Sequence, residues 1–272
     1  MRGKNLKIML TASVLLLSLA ICAPCKGKII YVDAGAPSAN DGTSWSDAFG
    51  CLQNALDDAS VGDEIRVAKG IYRPDHRVEE SGRTGVQITA SGDRMVTFQL
   101  LSGVMIKGGY AGVEEAEPDA RDINLYETIL SGDLDDNDVD IIGPDDLSGE
   151  SGRAQNSYQV VTGSGTDETA VLDGFTITGG NANVFTNRNG GGLLNEYGAP
   201  QIINCKFSEN SAQYYGGGIY NYYGNPTLIG CTFIRNSAGT EGGGIYNYRN
   251  YSNLNNCTFS ENSAHRGGGI YN

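Results

Sequence analysis

Positive charge is scarce in this chain: 19 Lys+Arg stand against 32 Asp+Glu, a formal net charge of −13 over 272 residues. No face has the cations to neutralise a run of phosphates, which excludes nucleic-acid binding as a class. The imbalance is local, with 2 basic and 16 acidic residues in 111–168 and near balance on either side. Long apolar runs are also lacking. One uncharged stretch, Ile8–Ala23, is rich in Leu, Val, Ile and Ala, and nothing else approaches the ~18 residues of a spanning helix. A strict glycine period is absent although 39 glycines are present, which excludes collagen. A hydrophobic content of 39% excludes a disordered chain. The length fits one large or two ordinary domains.

Arg2, Lys4 and Lys7 precede the Ile8–Ala23 run, and a basic start before a short apolar core is the pattern of a secretory signal peptide. Residues 1–23 are therefore expected to be a leader, and the protein to be exported to the extracellular space or an outer-membrane surface. Six cysteines in an exported chain ordinarily point to disulfides. Cys205, Cys231 and Cys257, however, are spaced by 26 residues, so they mark a repeat position instead of a bridging framework.

The repeat is plain when the second half is cut at its glycine triplets. GGGLLNEYGAPQIINCKFSENSAQYY begins at Gly190, GGGIYNYYGNPTLIGCTFIRNSAGTE at Gly216 and GGGIYNYRNYSNLNNCTFSENSAHR at Gly242. GGGIYN opens again at Gly267, so the sequence stops within a repeat, as a fragment of a longer protein would. A degenerate earlier copy, VLDGFTITGGNA, begins at Val171, with Phe175 set against Phe207 and Ala182 near Ala212. Periods of 20–50 residues mean stacked architectures. Amphipathic runs of ten or more residues are absent here, so helical stacks are excluded. Short β-like runs between Gly and Asn turns fit one coil of a parallel β-helix per ~26-residue unit.

Stacking gives each column a meaning. Alternation places Ile203, Cys205 and Phe207 inside, above Ile229, Cys231 and Phe233, with Asn255, Cys257 and Phe259 on the third rung. Phe207, Phe233 and Phe259 are expected to form an aromatic ladder, and Asn210, Asn236 and Asn262 an amide ladder. The cysteines have parallel Cβ vectors, poor for a disulfide, and read as buried free thiols. The glycine triplets allow a tight corner where a Cβ would collide or forbid positive φ.

FSEN, FIRN and FSEN, starting at Phe207, Phe233 and Phe259, alternate with GGGL or GGGI. These resemble the FxxN and GGA[ILV] motifs of polymorphic outer membrane proteins, with Gly in place of Ala. The resemblance covers residues 171–272. It implies a right-handed parallel β-helix of the pectin-lyase-like superfamily and an adhesin-like surface protein binding a glycan or a cell-surface protein. The superfamily also hosts polysaccharide lyases and glycoside hydrolases, which makes an enzyme with divergent or missing coils the alternative. The NTD, GHG and RIK motifs of its galacturonan hydrolases, and the WIDH and RxPxxR motifs of its pectate lyases, do not occur. His76 and His265 are the chain's two histidines. Glu209 and Glu261 lie two rungs apart, ~9.6 Å by strand spacing, near the separation of an inverting carboxylate pair. Glu, Arg235 and Glu in one column read more simply as a solvated stripe.

The first half reads as a cap followed by less regular coils over 28–168, with regular repeats over 169–272. Trp45, Ala48, Phe49, Leu52, Ala55, Leu56 and Ala59 fall at helical spacing, with Ser44 and Asp47 as a capping box and Gly62 as a stop. That amphipathic helix is expected to cover the first rung, which edge pairing would otherwise threaten. Strands are expected at Ile29–Val32, Glu64–Ala68, Val86–Ala90, Met95–Leu100 and Val104–Lys107. Two surfaces carry functional expectations. Asp133, Asp135, Asn137, Asp138 and Asp140 supply hard oxygens suited to calcium, although Asp138 and Pro144 break the EF-hand spacing. With Ile219, Ile245 and Ile270 inward, Tyr220, Tyr246 and Tyr271 face outward, and Tyr222 and Tyr248 share that parity, as a row able to anchor a sugar or protein. No catalytic residue and no required cofactor emerge from the sequence.

Overall fold

The computed structural model describes residues 27–36, 41–81, 85–139, 141, 143–249 and 252–272. The expected leader, residues 1–23, lies outside them. Four parallel sheets wind along the described chain, three of them from its first half and one from Asn181 onward. The first has seven strands, from Ile29–Val32 and Glu64–Ala68 through Met105–Tyr110 and Val171–Asp173 to Gln201–Ile203, Thr227–Ile229 and Asn253–Asn255. The second runs from Gly70–Tyr72 to Thr258–Ser260, the third from Asn181–Ala182 to Ser263–Arg266, and the fourth from Phe98–Gln99 to Ile270–Tyr271. The chain visits the sheets in turn, which is a parallel β-helix. One antiparallel pair, His76–Ser81 with Gly85–Ala90, stands apart from the sheets.

Register follows the repeat. Phe207 pairs with Phe233 and Phe233 with Phe259, while Ile219 pairs with Ile245 and Ile245 with Ile270. One coil earlier the turn is longer: Val171 lies opposite Gln201 and Ala182 opposite Ala212. The extra residues fall between Ala182 and Leu193. In that coil Ile177, not Phe175, lies opposite Phe207.

Single left-handed residues make the corners. In one coil they are Gly216 at φ 64, Tyr223 at φ 52, Gly230 at φ 65 and Arg235 at φ 53. Each corner uses up one residue and so resets the in–out alternation. This corrects the parity expected of the first sheet. Ile202 and Leu228 are buried, Ile203 and Ile229 are half-buried, and Asn255 is exposed. The next corner, at Asn204, Gly230 or Asn256, returns the chain to an inward Cys and Phe. The polar Asn255 therefore never faces the core; Leu254 does. Beyond Gly216, the triplet is needed for close approach, since a Cβ on Gly217 would sit 2.3 Å from the Ser237 carbonyl oxygen.

The core is a column of stacked equivalents. Phe207 and Phe233 stack with centroids 5.0 Å apart, Phe233 and Phe259 with centroids 4.8 Å apart. Asn210 Nδ2 donates to Asn236 Oδ1 and to the Ile177 carbonyl, and Asn236 Nδ2 repeats this with Asn262 and Phe207. A second amide ladder, unforeseen in the sequence, joins Asn195 to Asn221, Asn221 to Asn247 and Asn247 to Asn272. Buried amides persist in the columns because each is joined to the next by such bonds, with the Asn195 Oδ1 at the end of its ladder left without a partner.

The helix is shorter than its periodicity predicts, Leu52–Asp58, with no side-chain cap at Cys51. Ser44 and Asp47 do bond each other, but within a turn, because Phe49 instead bridges Val32 at the edge of the first sheet. Leu52, Ala55 and Leu56 join the same core as Ile30, Val32 and Ile65. Of the remaining expected strands, Met95–Leu100 contracts to Phe98–Gln99 and Val104–Lys107 extends to Met105–Tyr110.

Candidate functional site

The fourth sheet carries the tyrosines. Ile219 and Ile245 point into the core, and alternation turns Tyr220, Tyr222, Tyr246 and Tyr248 outward. In register, equal rings meet face to face: Tyr220 and Tyr246 at 5.5 Å, Tyr246 and Tyr271 at 5.6 Å, Tyr222 and Tyr248 at 5.3 Å. Stacking hides what the sequence expected to be exposed. Tyr220 and Tyr246 are each only 8% exposed, because Tyr215 lies over both, 4.6 Å from Tyr246. Burial first, then the Glu241 charge and neighbouring phenols, pushes the Tyr246 hydroxyl up to about 12, and burial raises Tyr220 as well.

Tyr248, which the repeat pattern did single out, is 38% exposed, and it is joined at the surface by residues the pattern did not. Tyr197 and Tyr223 occupy a left-handed corner, stack at 5.6 Å, and are 65% and 38% exposed. The third residue of that corner column is Arg249, whose guanidinium lies over Tyr223 and Tyr248 and donates to the Tyr223 hydroxyl at 2.6 Å. At the opposite margin the longer turn brings in Phe185 and Arg188. Arg188 is held between the rings of Phe185 at 4.2 Å and Tyr214 at 4.4 Å. The only sequence signal for this margin was the coil's extra length.

The acidic segment is tied to the coil by arginines. Asp133 accepts backbone N–H bonds from Asn137 and Asp138, Arg73 pairs with Asp136, and Gln155 donates to Asn137. Asp138 pairs with the buried Arg153 at 3.0 Å, and Arg153 also donates to the Gly180 and Glu209 carbonyls. Burial raises the Asp138 carboxyl and lowers the Arg153 guanidinium, each opposed by its partner's charge. Asp135 is exposed, and Asp140 lies outside the described residues. Among the described residues no three His, Cys, Asp or Glu side chains converge as a metal site would require.

The carboxylates weighed for catalysis are engaged with arginine. Arg235 reaches Glu209 at 3.1 Å on one side and Glu261 at 3.3 Å on the other, and Arg266 pairs with Glu241. A cleft of about 400 Å³ lies outside the second sheet, between Glu127 and Lys206, and Glu127 is the one carboxylate in its lining. Cys205, Cys231 and Cys257 are free thiols in one column, as their spacing predicts. Burial pushes Cys205 up to about 12. Cys231 shares a hydrogen bond with Cys257 that holds Cys231 high and Cys257 low.

The family-model match agrees with this repeat geometry. The Chlamydia polymorphic membrane protein repeat matches residues 204–222, 230–248 and 256–272. No curated protein matches the chain. A solved rhamnogalacturonan lyase superposes with TM-score 0.42 and 12% identity over 90% of this chain, which spans 63% of that structure. Each matched segment starts at or beside the corner before the core Cys and ends with the strand of the tyrosine face, so one family unit corresponds to most of one coil. Between residues 204 and 272 the chain thus carries three segments similar to the Chlamydia polymorphic membrane protein repeat, wound in register as successive coils of the parallel β-helix.

Proposed function

We propose that the protein is exported and acts as a non-catalytic surface scaffold, adhesin-like, that docks a partner through the aromatic face of its fourth sheet. The family match supports an outer-membrane or surface location, and the basic, apolar start of the chain supports export. The winding is read as right-handed, the sense strongly preferred where parallel strands are joined by crossovers. One observation carries the binding role: Tyr197, Tyr223 and Tyr248 are exposed side by side on a rigid, stacked bed. Exposed aromatics grouped on one surface mark interaction sites, and a bed that cannot rearrange lowers the ordering cost of docking. The pairing of Glu209 and Glu261 with Arg235 supports a structural role for those carboxylates, against the polysaccharide-enzyme alternative.

The test is adhesion of the purified chain to cells, compared with a variant carrying Tyr197→Ala, Tyr223→Ala and Tyr248→Ala. Unlike Tyr220 and Tyr246, these residues lie outside the packed part of the ladder, so the variant is expected to fold. Retention falling about tenfold or more is the expected result. Unchanged adhesion by a folded variant, or release of unsaturated or reducing sugar ends from a polysaccharide panel, contradicts the proposal.

A further inference from the structure

The aromatic face carries two arginines that meet no carboxylate, unlike most arginines of the described chain; Arg94, which lies on Tyr158 and donates to the Asn156 carbonyl, is the other exception. Arg66, Arg121, Arg153, Arg235 and Arg266 all meet carboxylates. Arg188 and Arg249 do not, among the described residues, although the chain has a net charge of −13. Both guanidiniums lie on rings instead. An unbroken series of ring contacts joins them: Tyr214 to Tyr215 at 6.0 Å, Tyr215 to Tyr220 at 6.5 Å, Tyr220 to Tyr222 at 6.3 Å and Tyr222 to Tyr223 at 4.7 Å. The result is one strip with a planar cation at each margin.

The chemistry of the strip selects its occupant. A sugar ring packs on an exposed aromatic face, but along the columns most ring faces are already covered by the ring above or below. Outward the strip presents ring edges, phenol hydroxyls and guanidiniums, with the exposed rings of Tyr197 and Phe185 and the Glu196 carboxylate beside them. Ring edges carry the positive end of the aromatic quadrupole, phenol hydroxyls donate hydrogen bonds, and a guanidinium offers a fork that matches a carboxylate. All three favour acidic oxygen. Tyrosine and arginine are also the residue types that dominate protein–protein contacts.

We infer that this strip, from Arg188 across the tyrosines to Arg249, docks a polypeptide segment rich in aspartate or glutamate. The inference rests on the scaffold reading and narrows it from a glycan or protein to a carboxylate-bearing protein partner. Arg188 and Arg249 grip carboxylates at the two margins, and the tyrosines between them supply apolar area and hydroxyl donors. The strongly acidic remainder of the molecule repels such a segment elsewhere, so that charge confines it to the strip.

The experiment measures binding of the full chain to labelled poly-L-glutamate by fluorescence anisotropy, with heparin, polygalacturonate and dextran as glycan arms. Poly-L-glutamate is expected to bind, and to bind more weakly as salt rises. Arg188→Ala with Arg249→Ala is expected to weaken binding about tenfold or more, and Arg235→Ala, which removes an arginine already paired with glutamates, to leave it unchanged. Both arginines are at the surface, so the double variant keeps the wild-type melting temperature. A lysine version of the same pair keeps the charge and loses the planar fork; it is expected to bind more weakly than wild type, and full retention would overturn the inference. So would binding of the glycans without the polypeptide, or a folded alanine double variant that binds as wild type. Cell adhesion lost by the Tyr197, Tyr223 and Tyr248 variant but kept by the arginine variant would leave the scaffold standing and remove this inference alone.

Discussion

Phe233 shows how a single residue acts in this molecule. It is fully buried and stacked between Phe207 and Phe259, so truncation empties the middle of a column whose neighbours are held by their own coils. Phe233→Ala is expected to cost about 3–5 kcal/mol, read by urea unfolding; a loss under about 1 kcal/mol would mean that the ring is not in the core. The tyrosine ladder predicts a pH effect. Tyr246 is pushed up to about 12 from an ordinary 10, and Tyr220 moves the same way. The folded state therefore holds these protons more tightly than the unfolded state does, so stability is unaffected below pH ~10 and falls as pH rises through the folded values. Alkaline titration followed by phenolate absorbance should show a fraction of the tyrosines ionising late, together with unfolding. A single transition near the ordinary tyrosine value with the fold intact would contradict the stacking. The phenylalanine, amide and thiol columns were legible in the sequence because a contact between equivalent residues repeats its own identity every 26 positions. The asparagines at 195, 221, 247 and 272 repeat at 26, 26 and 25 positions, but their inward direction depends on strand parity. The Arg188 and Tyr214 contact could not be read because its extra residues occur in one coil.

At the scale of the element, corners matter more than strands. The strands are two to five residues long in the regular coils, too short to hold a register alone, and the one-residue left-handed corners fix where each begins. Their effect on parity explains why simple alternation gave Phe207 and Phe233 correctly but misplaced Ile203, Ile229 and Asn255. Alternation holds within a strand and is reset at Asn204, Gly230 or Asn256, directly after the three misplaced residues; at other corners the left-handed residue is Glu209, Arg235 or Tyr223, whose type does not announce it. Glycine is needed where space runs out. Gly217 has ordinary φ, yet a Cβ there would meet the Ser237 oxygen at 2.3 Å and the Gly243 oxygen at 2.7 Å, whereas one on Gly143 would meet nothing within 4 Å. Gly217→Ala should therefore destabilise the chain by at least about 2 kcal/mol, and Gly143→Ala should leave the melting curve unchanged. Equal effects from the two would show that the triplet is not a site of close approach. The helix Leu52–Asp58 was overextended from its periodicity, because Trp45 and Phe49 follow helical spacing but serve other contacts: Trp45 packs with Tyr31 and Tyr110, and Phe49 bridges Val32.

For the whole molecule, the coil gathers its tyrosines on one sheet, with Glu196 in the column of Tyr222 and Tyr248 and Glu241 close to Tyr246. The acidic segment is fastened by Arg73 and Arg153, while the fourth sheet carries the tyrosines with Arg188 and Arg249 at its margins. That arrangement exists only if each coil lies in register on the last, because the aromatic strip is assembled from residues of successive coils. The direct test is a pair of nitroxide spin labels at Lys206→Cys and Thr258→Cys, with the native cysteines changed to alanine, read by continuous-wave electron paramagnetic resonance. These positions face outward in one column, joined through Thr232. Two strand spacings put their backbones about 10 Å apart, and strong dipolar broadening that vanishes on unfolding is the predicted result. Narrow lines from the folded, doubly labelled protein, indistinguishable from the sum of the single labels, would contradict the in-register coil and with it the binding strip.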